Sequence, residues 1–427
     1  MSEAMSSTSV QMLVEAERRY RQQHPRSEAA GKELIEVLPG GDTRTTTWYP
    51  PFPLVIERAS GASMWDADGN EVLDFIGNYT SLIHGHVPSF VVDAITTELP
   101  SGFIFAAPMR AHGELAGALT NRMQAVELVR FTNSGTEANL LAGRLTRAAT
   151  GRRTLAVAEH SYHGSWEDLD WRAAGITGTA VFPINDIPAA TAALDAAGPI
   201  AGIFIEPVLG SGGVIPVAPE FLRFLDEYAE ATGALLVFDE VMTFRLGYGG
   251  MQGRLGINPS LTSFGKLIGG GLPIGAVGGR RDIMEFSDPR REGSLAHGGT
   301  FNGHRLAMVG GVATLNALDG AEIDRINGLG ETLAQGIRAI ANRLGAPVSV
   351  TGYGSMLNLH AAPDVQTPAQ AHAAAQSELA RATHLEFIND GVFMAARGEL
   401  CISTAMDDRT IQRALAGIEK VFMRLFR

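Results

Sequence analysis

A large, mostly parallel β-sheet covered by helices, an α/β architecture, is expected of this 427-residue chain. Between about residues 90 and 330, apolar runs bounded by turn residues alternate with alanine-rich helical stretches: "LVRFT", "TLAVA", "TAVFP", "IAGIFIEP" and "ALLVFDE". These runs are apolar at successive rather than alternate positions, as strands buried on both faces are. Before them, residues 8 to 37 read as helical and end in a Pro-Gly-Gly turn. Residues 52 to 76 read as short antiparallel strands joined at "DADGN". After residue 330 a smaller α/β stretch follows. It has strands near "VSVTGYGSMLNLH" and "LCIST" and helices near 367 to 389 and 408 to 427.

The composition excludes several classes of function. A content of 45% hydrophobic and 19% charged residues suits a globular core. A net charge of −12 argues against a nucleic-acid or anionic-membrane partner. The single cysteine, Cys401, precludes an internal disulfide and a structural zinc thiolate site, so no metal is expected. The N-terminus has no basic segment leading into an apolar run, and no window approaches 18 consecutive apolar residues. A cytoplasmic protein is expected.

Lysine is nearly absent. Only Lys32, Lys266 and Lys420 occur among 34 basic residues, so a surface cation here is normally arginine. Lys32 and Lys420 fall on polar helical faces, whereas Lys266 lies in "TSFGKLIGGGLPIGAV", among small and apolar neighbours. The two basic residues differ most where an amine must lose its proton and act as a nucleophile.

Other chemistry converges on the same predicted sheet edge. Asp239 and Glu206 close strand candidates, and ligands of open parallel sheets bind beyond the carboxyl ends of their strands. Such acids can equally cap a helix or join a loop ion pair. "LVRFTNSGTEANLLAGRL" reads as strand, turn and helix, with Ser134, Gly135 and Thr136 at the helix start, where free N–H groups suit a phosphate or simply form an N-cap. "AEHSYHGS" places Tyr162 and His163 beyond another strand. Nucleotide motifs fail: Ser260 and Leu267 occupy the glycine and hydroxyl positions of a P-loop, and Ile274 stands at the third glycine of a dinucleotide fingerprint. Pyridoxal 5'-phosphate (PLP) needs the set that remains: an amine for its aldehyde, a carboxylate for its ring nitrogen, a helix N-terminus for its phosphate and a wall for its ring. Lys266 would serve twice, as Schiff-base partner and then as the base that moves a proton.

The motifs "FTNSGTEAN", "HSYHG", "VFDEVMTFRLGYGG", "SLTSFGKLIGGGLPIGAVGGRRDIM" and "GGTFNGHRLAM" together resemble the class III aminotransferases of fold type I, from about residue 35 to the C-terminus. The resemblance implies a large PLP-binding domain over 81–330. It also implies a small domain from both chain ends, 1–80 and 331–427. In those terms Lys266 holds the cofactor, Asp239 pairs with its pyridinium, Ser134, Gly135 and Thr136 bind its phosphate, and Tyr162 stacks on its ring. Thr300 would reach the phosphate of a neighbouring subunit, making the active unit a homodimer.

Two branches of the family fit. Glutamate-1-semialdehyde 2,1-aminomutases move an amino group within one substrate, and usually carry Ser-Pro-Val-Arg after Pro-Gly-Gly. This chain has "PGGDTRTTTWYPPFPL", which resembles the β-amino-acid aminotransferases of the β-phenylalanine type. These pass the amino group to a 2-oxo acid such as 2-oxoglutarate or pyruvate. In that branch Arg44 would meet the substrate carboxylate, and Arg397 in "FMAARGEL" matches a carboxylate-binding arginine of the small domain. Tyr79, Phe103 and Phe105 could line an aromatic-tolerant pocket or pack in the core. A non-catalytic PLP-binding protein is the remote alternative; a regulator of that kind needs a DNA-binding segment, and no helix-turn-helix pattern is present.

Overall fold

The computed structural model describes residues 2–427, with side chains from Thr8 onward. It divides into two compact units. One comprises Thr80–Leu82 and Ser89–Asp324; the other comprises, of the described residues, 2–79, Ile83–Pro88 and Arg325–Arg427.

The larger unit is organised by a seven-stranded sheet. Its spatial order is Leu128–Thr132, Gly275–Gly279, Leu261–Gly265, Leu235–Asp239, Ile200–Ile205, Thr154–Ala158 and Ala180–Phe182. Gly275–Gly279 runs antiparallel to both of its neighbours, and the other pairings are parallel. Side chains leave alternate faces of each strand, so the doubly apolar runs feed two cores. Ala156, Ile203, Leu236 and Phe238 join one cluster with the helix Pro219–Thr232, while Leu155, Val157, Phe204 and Val237 join another with the helix Gly135–Thr150. Strands Leu261–Gly265 and Gly275–Gly279 stand outside the runs that apolar pattern alone picks out.

In the smaller unit, Ile56–Ser60, Ser63–Asp66 and Glu71–Asp74 form an antiparallel meander, which Val392–Phe393 extends in parallel. The "DADGN" turn joins the second and third of these strands. A second sheet contains Ser349–Tyr353, Met356–His360 and Glu399–Cys401. The helical stretch expected over 8 to 37 is two helices, Ser2–Gln23 and Pro25–Ile35. Pro25 has no N–H to continue the first, but it suits the first turn of the second. Likewise 367 to 389 holds two helices, Pro368–Ala375 and Glu378–Asn389. The second is started by Ser377, whose side chain accepts from Ala380 N–H.

Candidate active site

Sheet register brings the distant motifs together. Gly265 pairs with Gly275, and Gly275 pairs with Thr132. Lys266 and the Asn133–Ser134 turn therefore leave the same edge. Asp239 lies opposite Ser263 on the neighbouring parallel strand, three residues before Lys266. Close approach explains the glycines: a Cβ on Gly275 would lie 2.0 Å from the Ser134 carbonyl oxygen, and one on Gly135 3.0 Å from Val241.

Lys266 is half-buried, with φ at +53°, a left-handed conformation that costs a side-chain-bearing residue roughly 1–2 kcal/mol. Strain of this kind clusters at functional sites. Ser134 is the extended N-cap of the helix Gly135–Thr150, and its hydroxyl accepts from Glu137 N–H. Gly135 and Thr136 open the first turn, where backbone N–H groups lack helical partners.

Asp239 is 3% exposed and surrounded by donors. Its Oδ2 accepts from Asn139 Nδ2 at 2.7 Å and lies 2.9 Å from His163 Nδ1, while Oδ1 accepts from Val241 N–H at 3.0 Å. Nε2 of His163 is buried and has no hydrogen-bond partner among the described residues. Tyr162 projects beyond the strand Thr154–Ala158 with 46% of its surface exposed, as a ring wall for a ligand would. The same loop packs on the helix start: Ser165 N–H donates to Thr136 Oγ1 at 3.2 Å, and a Cβ on Gly164 would lie 2.4 Å from that oxygen.

Glu206 serves this loop. Its carboxylate accepts from Tyr162 N–H at 2.9 Å and from Gly210 N–H at 3.1 Å. Burial raises its pKa from 4.5 to about 7; His163 opposes the shift and Asp239 adds to it. A folded pKa above the unfolded one means stability that is complete below about pH 4.5 and lost as pH rises through about 7. Glu206→Gln should therefore flatten denaturation midpoints between those values relative to wild type, measured in urea at a series of pH values. Parallel profiles would deny Glu206 this titration.

Asn139 and His163 are the residues that spacing alone does not single out as partners of Asp239, from which they lie 100 and 76 positions away. Thr300 is exposed in a turn, and Asn302 beyond it accepts from Asn133 Nδ2 at 2.8 Å, tying that loop to the Ser134 turn.

The two arginines lie in the smaller unit. Arg44 is exposed, and its Nη1 donates to Asn78 Oδ1 at 3.0 Å. It makes no ion pair among the described residues. Arg397 is half-buried and paired with the buried Glu399. Both guanidinium groups lie over the Tyr79 ring, at 5.9 Å and 5.2 Å from its centre. Asn78 and Tyr79 follow Gly77 in a left-handed turn, with φ of 49° and 55°. The Tyr79 hydroxyl donates to Thr46 O at 2.5 Å. Phe103 and Phe105 belong to the larger unit and are 51% and 47% exposed, so neither is core packing there.

A sheet of this topology, carrying a lysine, an acid and a helix N-terminus at one edge, defines a fold type I PLP-dependent enzyme. The class-III aminotransferase family matches residues 45–168 and 186–421, and the chain belongs to that family. It is a PLP-dependent transaminase by family. The chain is 38% identical over 417 residues to a beta-phenylalanine transaminase of Variovorax paradoxus, covering 96% of this chain and 95% of that one. It is 35% identical over 426 residues to a glutamate-1-semialdehyde 2,1-aminomutase 2 of Geobacillus kaustophilus (strain HTA426), covering 94% and 99%. The crystal structure of a beta-phenylalanine aminotransferase from Variovorax paradoxus superposes with a TM-score of 0.90 at 36% identity, over 96% of this chain and 97% of that one. No helix among the described residues is long and apolar enough to cross a membrane.

Proposed function

We propose that this enzyme transfers the amino group of a β-amino acid, aromatic ones included, to a 2-oxo acid such as 2-oxoglutarate or pyruvate. The observation that carries the reading is Arg44, a guanidinium with no acid partner among the described residues, steadied by Asn78 and Tyr79. The likeness to a beta-phenylalanine transaminase supports it.

The residues at the sheet edge fit PLP. The orphaned His163 Nε2, the glycine-lined approach to Ser134 and the strained Lys266 are unexplained by packing alone. When bound, PLP supplies an aldehyde that exchanges amino groups and a ring that draws electrons from the substrate carbon. Lys266 Nζ holds the cofactor and moves the substrate proton. Asp239 holds a proton on the ring nitrogen, with Asn139 and His163 orienting its carboxylate. Ser134, Gly135 and Thr136 bind the phosphate, and Tyr162 covers the ring. Thr300 serves the site of a second copy, so the active unit is a homodimer; sedimentation should give a dimer, and a fully active monomer would sink that assignment.

A β-amino acid holds its carboxylate one carbon further from the reacting amine than an α-amino acid does, so one cation cannot meet donor and acceptor alike. Arg44 takes the donor's carboxylate. Arg397 takes the acceptor's, exchanging Glu399 for it. Because Arg44 is exposed, a charged hydrogen bond of about 1.5–3 kcal/mol is the right scale, roughly 10–100-fold. Arg44→Ala should lose that much in the β-amino-acid half-reaction, and Arg397→Ala should lose mainly the oxo-acid half-reaction. Equal loss of both half-reactions in both variants would end the division of labour.

The aminomutase reading is favoured by the 35% identity to such an enzyme over nearly the whole chain. Isomerisation of glutamate-1-semialdehyde without an acceptor, and no reaction with β-amino acids, would establish it instead.

A further inference from the structure

The smaller unit holds a half-open cavity of about 270 Å³. Its body is apolar, walled by Leu54, Ile56, Met64, Ile76, Phe393 and Met394. An apolar cavity of roughly 150 Å³ already admits benzene, so this one has room for an aromatic ring and a short chain. Arg44 lines it together with Asn78 and Tyr79, and so does His384.

His384 is the anomaly. It is 3% exposed, and neither ring nitrogen has a hydrogen-bond partner among the described residues. Its ring meets Tyr49 edge-on, with centres 4.6 Å apart. Tyr49 does not satisfy it: that hydroxyl accepts from Leu54 N–H at 2.9 Å and lies 3.2 Å from the Tyr20 hydroxyl. The Asp74–His86 pair in the lining is self-contained: Asp74, which is buried, bonds His86 Nε2 at 2.8 Å and the N–H groups of Ile76 and Gly77. Buried polar groups are almost always hydrogen-bonded, and those that are not call for a ligand or water. Burial pushes the His384 pKa down to about 3, so at neutral pH the ring is uncharged, with one nitrogen donating and one accepting.

We propose that this cavity is a side-chain subsite for a β-amino acid with a hydroxyl-tipped aromatic ring, its carboxylate on Arg44 and its phenolic hydroxyl hydrogen-bonded to His384. The proposal rests on the reading of Arg44 as the donor's carboxylate receptor. It makes the hydroxyl a specificity determinant, because a site built around a substrate hydroxyl rejects the analogue that leaves its own polar group unpaired.

The test uses two acids that lack an amine and cannot react, 3-(4-hydroxyphenyl)propanoate and 3-phenylpropanoate, titrated calorimetrically into the PLP-loaded enzyme. The hydroxylated acid should bind at least about tenfold more tightly. His384→Leu should abolish or reverse that preference, and Arg44→Ala should weaken both acids alike. Should His384→Leu not fold, Ile56→Trp introduces bulk from a side chain that is 37% exposed and should remove binding of both. Equal binding by wild type overturns the subsite, as does a preference that survives His384→Leu or tight binding that survives Ile56→Trp. A parallel panel of β-amino acids separates the two readings. Transamination with no gain from a ring hydroxyl leaves the activity standing and removes the subsite. Selective binding without transamination of any β-amino acid leaves a hydroxyaryl-carboxylate site and removes the donor assignment.

Discussion

Lys266→Ala is expected to lower turnover by roughly 10²–10⁴-fold through loss of proton transfer alone, and the loss of amine exchange adds to that. The structure separates this effect from misfolding. Lys266 already sits at φ +53°, and alanine meets the same left-handed backbone cost, so thermal stability should change little. Borohydride reduction of the PLP-loaded protein followed by peptide mapping should label Lys266. Lys32 is the natural control, since it is 73% exposed on its side chain and lies 3.5 Å from Glu28. Label at Lys32 or Lys420, or near-normal turnover in Lys266→Ala, would remove Lys266 from its role.

How much of this was legible in the sequence depends on what kind of force fixes each feature. Strands such as Leu235–Asp239 announce themselves because burial on both faces demands successive apolar residues. Gly275–Gly279 does not, because its glycines answer to close approach: the Ser134 carbonyl leaves no room for a Cβ at position 275. Lys266 stood out through the scarcity of lysine, and Asp239 through its place at a strand end. Its partners did not, since Asn139 and His163 reach it only once helix and sheet are assembled. The arginines were legible as charges but not as environments. Nothing in "GGDTRTTT" says that Arg44 is exposed and bonded to Asn78 rather than to an acid among the described residues, or in "AARGEL" that Arg397 is held by Glu399. The left-handed turn at Gly77–Tyr79 was equally hidden, since asparagine is tolerant of that backbone but tyrosine is not a usual signal for it.

Asp239→Asn is expected to cost on the order of 10²–10³ in turnover, the scale of a preorganised charge that acts on the reacting centre. The amide is nearly isosteric, but it cannot satisfy the same neighbours. Asp239 accepts on both oxygens: from Val241 N–H on one, and from Asn139 Nδ2 on the other, which also lies 2.9 Å from His163 Nδ1. An asparagine that turns its oxygen to Val241 aims an N–H₂ group at the Asn139 amide, 2.7 Å away in the present arrangement. The opposite rotamer aims it at the Val241 N–H. Either way a donor faces a donor at a buried position, at roughly 1–3 kcal/mol. Asn139 can relieve the first clash by flipping, since its Oδ1 has no partner among the described residues, but it then gives up its bond to the His163 carbonyl. The variant should consequently fold with a modest loss in denaturation midpoint while losing far more in rate. Its bound cofactor should also show a pH-dependent absorbance change that the wild type lacks, as the ring nitrogen loses its carboxylate partner. That spectral readout decides the matter, because a strand-end acid with only a structural role would lower the midpoint and leave both turnover and the cofactor spectrum near those of wild type.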